Sequence, residues 1–189
     1  MRKIIWISLC STALIAFIFF VILPYQEEQK EIKHYAFKLK SNEGMVKLSD
    51  FQGKIAVIYF GYMYCPDICP TSLSVISSAI AQLPKDKALD VQLLFISIDP
   101  QRDKIKELDA YARYFHASAI GLTEEKSVLK RVSESYGSYY AKEPSSDADN
   151  YAVAHTSYIY FMDKKGKLAH RLSHTQEPKA VLEVLLKML

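Results

Sequence analysis

The feature that most constrains this chain is a pair of apolar runs that flank one amphipathic stretch. "IAVIYFGY", residues 55–62, and "VQLLFISID", residues 91–99, are almost free of charge and rich in β-branched and aromatic side chains. A strand with one face in water alternates polar with apolar residues, so a run that is apolar at nearly every position must bury both faces. Between the runs, from Pro70 to Leu83, the residues Leu73, Ile76, Ile80 and Leu83 recur at spacings of three and four, which predicts a helix. Strand, helix and strand in that order form a parallel crossover unit, and its sheet needs helices on its faces.

The remaining elements extend this unit. "HYAFKL" and "MVKL" flank the turn-rich "KSNEG" and predict a short hairpin ahead of the first long strand. "KIKELDAYARYF" reads as a helix and "AIGL" as a short strand. "TEEKSVLKRVSESYG" reads as a further helix, with Thr123 at its N-cap and Gly137 just past its end. "HTSYIYFMD" and "LAHRL", joined by "KKGK", form a closing hairpin that makes the sheet mixed, and Pro178 opens a final helix. The fold class expected is therefore α/β: a thioredoxin-like mixed sheet with flanking helices, with a cysteine pair where the first central strand meets its helix.

That pair is Cys65 and Cys69 in "YFGYMYCPDICP", residues 59–70, two of only three cysteines in the chain. Pro70 suits the first turn of the helix, which puts Cys69 at or next to the cap. Amide groups at a helix start carry partial positive charge and lower a thiol's pKa. A thiolate is both nucleophile and metal ligand, so the pair alone fits disulfide formation, electron transfer or a soft metal. If Pro66, Asp67 and Ile68 take a helical turn, both sulfurs point one way. Two sulfurs favour Cu(I), whereas structural zinc wants four ligands, and four convincing ones are not found. Met63 is a thioether candidate on the same strand face as Cys65, although methionine more often packs. Tyr59, Phe60, Tyr62 and Tyr64 read as core and rim, and Asp67 as a loop acid. "DPQRD" places Asp99, Pro100, Arg102 and Asp103 at the end of the second strand, where functional clefts gather. It divides evenly between a docking role and a structural one, with Asp103 able to cap the next helix.

Of the five histidines, His34, His116, His170 and His174 read as ordinary surface residues. His155 differs. It follows the stretch "KEPSSDADN" and enters an apolar strand in "NYAVAHTSYIYF". In a thioredoxin-like sheet the loop before this strand faces the cysteine pair. The residues alone leave His155 open between a third ligand and a capped core or loop histidine.

The front of the chain is of another kind. After Arg2 and Lys3, the residues from Ile4 to Leu23 carry no charge. As a helix that run spans roughly 30 Å, the thickness of a bilayer core. It ends in "FFVILPY", without the small-residue site of a cleaved signal peptide, so an uncleaved anchor is expected. Leu9 before Cys10 speaks against a lipidated cysteine, and Cys10 reads as a small apolar residue of the span. The expected organisation is a membrane anchor at 1–24, a linker at 25–33 and a thioredoxin-like domain at 34–189. Positive charge stays on the cytoplasmic side, so the expectation is a single-pass protein of the cell membrane with its domain on the extracytoplasmic side. That side is oxidising and permits a disulfide. Net charge is only +3, from 24 basic and 21 acidic residues, with no basic cluster interleaved with aromatics; no nucleic-acid partner is expected.

"FGYMYCPDICP", "FISIDPQRD" and "AHTSYIYFMDKKGKL" stand in the order and approximate spacing of the Sco/SenC family of copper-assembly proteins, and "DFQGKIAVIYFGY" resembles that family's lead-in. The likeness runs from about residue 35 to the C-terminus. It implies a thioredoxin-like, copper-binding domain on a membrane tether, with copper, as Cu(I) and/or Cu(II), held by Cys65, Cys69 and His155. It also implies a role at the dinuclear copper site of cytochrome c oxidase, by delivering copper or by reducing that site's thiols. The partners implied are the oxidase's copper-site subunit and a thiol reductant or copper donor protein. One departure is Ala154, where the family commonly has an acid; this bears on ring orientation and affinity. The leading expectation is a metallochaperone rather than an enzyme. The alternative is a thiol–disulfide oxidoreductase in which Cys65 and Cys69 are the redox pair. A peroxidase fits less well, because Tyr62 stands where peroxiredoxin-like enzymes have threonine.

Overall fold

The structure is a computed structural model and describes residues 14–145, 151–174 and 177–189. It divides into two units, Met1–His34 and Tyr35–Leu189. In the first, residues 14–17 are helical, Ile18–Ile22 forms a π-helical turn, and α1 (Leu23–Tyr35) follows. The expected linker, residues 25–33, is thus helical. Leu14, Ile15 and the apolar side chains from Phe17 to Leu23 are exposed. Among the described residues no helix is long and apolar enough to cross a membrane. Much of the expected anchor, residues 1–13 with Cys10, lies outside the described residues.

The second unit opens with an antiparallel hairpin, β1 (Lys38–Ser41) and β2 (Gly44–Lys47). The crossover follows: β3 (Ile55–Gly61), α2 (Ile68–Ala81), a short α3 (Lys85–Ala88) and β4 (Val91–Ser97). Then come α4 (Ile105–Phe115), β5 (Ile120–Leu122) and α5 (Lys126–Ser135). Two short strands, β6 (Tyr140–Lys142) and β7 (Val153–His155), precede β8 (Tyr158–Met162), β9 (Leu168–Ser173) and α6 (Pro178–Met188). The central sheet has the order β5-β4-β3-β8-β9. β3, β4 and β5 run parallel, and β8 and β9 close the other side antiparallel. This is the thioredoxin-like mixed sheet with flanking helices. Every residue of β3 and β4 is buried, as two-sided apolar runs require.

Three boundaries depart from the sequence reading. α2 starts at Ile68 with Asp67 in the N-cap position, so Pro70 is its third residue. That is allowed because the first-turn N–H groups have no intrahelical partner. Thr123 caps nothing: Glu125 holds the N-cap position of α5, and Thr123 pairs through its backbone with Lys40 at 2.9 and 3.0 Å. The C-terminal signal of that helix does hold. Gly137 adopts φ +64°, and the N–H of Ser138 reaches the carbonyl of Ser133 at 2.8 Å, closing the helix in a Schellman motif. The strand expected over 155–163 is broken in two. Thr156 turns aside to bond the Tyr139 carbonyl through its N–H at 2.9 Å. β7 therefore pairs with β6 as a separate two-stranded ribbon, outside the central sheet.

Candidate metal centre

The centre is built at the C-terminal end of β3. Gly61 closes the strand, and the loop 62–67 carries Cys65 before α2 begins. Cys69 is the second residue of the helix, two positions past the N-cap, and is fully buried, whereas Cys65 is half-buried in the loop. The pair does not share a helical face. Instead the Cys65 Sγ itself receives the backbone N–H of Cys69, at 3.4 Å, and so takes the anion position at the helix start. Both thiols are free. The hydrogen bond from the Cys69 thiol, opposed by burial, holds the Cys65 thiol down to about 3. That shared proton and burial push Cys69 up. The site thus presents one half-buried thiolate and one fully buried thiol.

Close packing behind Cys69 depends on Gly61. A Cβ there would stand 2.7 Å from the Cys69 Sγ and 2.9 Å from the Phe95 ring. The lone glycine of the apolar run was the available signal, because glycine inside a strand often marks a close approach.

His155 ends β7. Its Nε2 lies 3.4 Å from the Cys69 Sγ, across 86 residues of sequence. Its Nδ1 lies 3.2 Å from the carbonyl oxygen of Thr156, which can only accept, so Nδ1 carries the hydrogen and the Nε2 lone pair faces the sulfurs. The rings of Tyr62 and Tyr59 meet the imidazole edge-on at 5.9 and 6.4 Å. Ala154 is exposed, and the ring's Nδ1 contact is with the Thr156 carbonyl rather than with residue 154. The Cys65, Cys69 and His155 donor atoms all lie within 4.8 Å of one another. Donors bound to one ion at about 2.0–2.3 Å stand no more than roughly 4.6 Å apart, so a small closure lets this set share one ion. Two thiolates and an imidazole suit copper in either oxidation state.

"DPQRD" proves to be a buried network beside the centre. Asp99 accepts from Arg102 Nε at 2.6 Å and from the Tyr151 hydroxyl at 2.7 Å. Burial and that carboxylate push the Tyr151 phenol up to about 12. Asp103 does not cap α4, whose N-cap is Lys104. It accepts from Ser97 Oγ at 2.6 Å and from the Met63 N–H at 3.0 Å, so it pins the cysteine loop. Tyr62 receives the Val153 N–H at 3.3 Å. Tyr59 and Phe60 are core residues, while Tyr64 is an exposed rim residue. Asp67 receives the Thr71 hydroxyl, and the partly buried Met63 packs on the core. The structure brings none of the other histidines into this cluster: His34 lies in α1, His116 meets Ser118, His170 lies on β9, and His174 meets Ser72.

Fold and site together define a thioredoxin-like protein with two cysteines and a histidine converging at the end of its first central strand. Residues 25–189 match the SCO1/SenC family. The chain belongs to that family. It is 37% identical over 151 residues to an SCO2-like protein of Rickettsia felis, covering 79% of this chain and 73% of that one. The solution structure of apo Sco1 from Thermus thermophilus superposes with a TM-score of 0.76 at 33% identity, over 82% of this chain and 90% of that chain. A crystal structure of Arabidopsis thaliana ScoI with copper bound gives 0.74 at 32% identity, over 81% and 95%.

Proposed function

We propose that this chain is a membrane-tethered copper chaperone that carries one copper ion on Cys65, Cys69 and His155 and serves assembly of the copper site of cytochrome c oxidase. The observation that carries the reading is the convergence of three soft and borderline donors, from segments 86 residues apart, within 4.8 Å. Copper is the cargo. Cys65 meets the ion already as a thiolate, Cys69 gives up its buried proton on loading, and His155 offers the Nε2 lone pair. On this reading an anchor at 1–24 and a linker at 25–33 tether the copper-binding domain at 34–189, and Arg2 and Lys3 ahead of the apolar run favour the extracytoplasmic side for it. The exposed apolar side chains from residue 14 to Leu23 support the tether. The oxidase's copper-site subunit is the recipient, and a copper donor or a thiol reductant completes the cycle.

The alternative, reduction of a partner's cysteines, has its own support in the unequal thiols. The accessible Cys65 thiolate attacks a partner disulfide and forms a mixed disulfide. The buried Cys69 then displaces it, leaving two partner thiols and a Cys65–Cys69 disulfide. The two electrons pass to the partner, and a reductant must restore the pair. Such a disulfide also removes both sulfur ligands, so redox state gates copper loading.

Titration of the reduced full chain with Cu(I) and Cu(II) separates the readings. The chaperone reading expects one tightly held ion per chain, lost in Cys65→Ser and Cys69→Ser, with Cu(II) weakened most in His155→Ala. Weak, substoichiometric uptake combined with disulfide exchange that survives His155→Ala would overturn it in favour of the reductase.

A further inference from the structure

We infer that Arg102 is a positioning residue of the metal centre: it holds the ribbon that carries His155 against the loop that carries Cys65. This rests on the copper reading above and adds a residue to it.

The need for such a residue comes from topology. The cysteines stand at the junction of β3 and α2, whereas His155 stands on the β6–β7 ribbon, which among the described residues shares no strand pairing with the central sheet. β8, laddered to β3, begins three residues after His155 and fixes that end of the ribbon, so the end at Tyr151–Val153 is the part that needs other contacts. Arg102 reaches both sides. Its Nε bonds Asp99 at 2.6 Å, and its Nη1 donates to the Tyr151 carbonyl at 2.9 Å, four residues before His155. Its guanidinium lies 3.6 Å from the centre of the Tyr151 ring and 4.9 Å from that of Tyr64, the residue next to Cys65. The Tyr62 ring, whose hydroxyl receives the Val153 N–H, lies at 5.6 Å. The Arg102 side chain is only 11% exposed and that of Asp99 5%, so these contacts form where water competes little.

The shape of the guanidinium matters as much as its charge. A planar fork can bond a carboxylate along one edge, donate to a carbonyl from another, and present its face to an aromatic ring. An ammonium group offers a point charge and no flat face. Lysine at this position therefore keeps the ion pair and loses the clamp. The two oxidation states of copper then respond differently. Two thiolates satisfy Cu(I), whereas Cu(II) depends on the imidazole nitrogen. Loosening the ribbon penalises Cu(II) first.

The test uses the reduced full chain, with Cu(I) and Cu(II) as probes, in Arg102→Met and Arg102→Lys. Each is expected to lose at least about tenfold in Cu(II) affinity while Cu(I) stays within about threefold. The nitrogen hyperfine coupling in the Cu(II) paramagnetic resonance spectrum should weaken in step. In the metal-free chain, amide exchange should quicken across residues 151–156 and stay unchanged in β3 and α2. If Arg102→Met does not fold, Arg102→Lys decides. A folded variant that keeps Cu(II) affinity within about threefold, or loses both oxidation states equally, overturns the inference. Unchanged exchange at 151–156 overturns it as well, and that readout needs no copper. Wild-type chain that binds neither ion would instead overturn the copper reading.

Discussion

Replacing Gly61 with alanine tests whether close packing sets the position of the Cys69 sulfur. The new methyl would stand 2.7 Å from the Cys69 Sγ, 2.9 Å from Phe95 Cε2 and 3.2 Å from Tyr59 Cε1. Ordinary contact begins near 3.4 Å, so the sulfur must retreat by about 0.7 Å. Overpacking of this kind costs about 1–3 kcal/mol, which lowers Tm by roughly 2–12 °C in a domain of this size. The effect on the metal is separate. Without copper the Cys69 side chain can swing away and relieve part of the strain. A bound ion pins the sulfur and restores the clash, so a strain of about 1–3 kcal/mol weakens Cu(I) roughly 5- to 150-fold. The assay is a Cu(I) competition titration of the folded, reduced chain, paired with a melting curve. Gly121→Ala is the control, because its methyl would meet the Leu108 carbonyl oxygen at 2.6 Å on the edge strand β5. It should lower Tm and spare Cu(I) affinity. Gly61→Ala binding Cu(I) within about threefold of wild type, or Gly121→Ala weakening it equally, would refute the reasoning.

Two further outcomes follow from charge. The Cys69 hydrogen bond holds the Cys65 thiol down to about 3, so alkylation of Cys65 should run at a nearly constant rate between pH 5 and pH 8. A rate rising about tenfold per pH unit, as for a free thiol, would contradict the shared-proton arrangement. Burial raises the Asp103 carboxyl to about 6 from 3.8, so the unfolded chain ionises first as pH rises. Stability attributable to Asp103 is therefore greatest below about pH 4, falls between about pH 4 and pH 6, and is level above, by at most roughly 3 kcal/mol. In Asp103→Asn this component should vanish; urea midpoints that track wild type at both pH 4 and pH 7 would count against it.

Much of the fold is written in local patterns. The buried strands β3 and β4 follow from apolar runs, the last turn of α5 from Gly137, and the start of α6 from Pro178. What stayed hidden was set by partners distant in sequence. Nothing near residues 140–142 announces a strand, because Tyr140–Lys142 gains that form only by pairing with Val153–His155. Thr123 has the chemistry of a cap, but backbone pairing with Lys40 claims it. At the site, Cys65 and Cys69 were legible as a pair, yet their division into a half-buried thiolate and a fully buried thiol depends on the loop bending so that one sulfur receives the other residue's N–H. His155 was singled out by its strand and loop context and by the family likeness. Its approach to Cys69 is a tertiary fact, produced by a ribbon that no local signal foretold. The sequence "DPQRD" says equally little about Arg102 lying over Tyr151, 49 residues later.

The different attachment of sulfur and nitrogen bears on how one site could both hold and release its cargo. The sulfurs sit four residues apart on one stretch of chain: Cys69 is packed within α2 against Gly61, and Cys65, in the preceding loop, receives the Cys69 N–H. The nitrogen is fixed by side-chain contacts to a small ribbon, any of which can break without loss of the core. A ligand set with two rigid donors and one yielding donor gains or loses a coordinating atom at the cost of a few hydrogen bonds. An exchange partner bringing its own thiolate or imidazole would then displace His155 before either sulfur, so transfer would start on the ribbon side and finish at Cys69. On that ordering, His155→Ala should speed copper loss to a competing chelator, whereas Arg102→Lys should speed it by less. Equal rates in wild type and His155→Ala would mean that departure begins at a sulfur and would reverse the order.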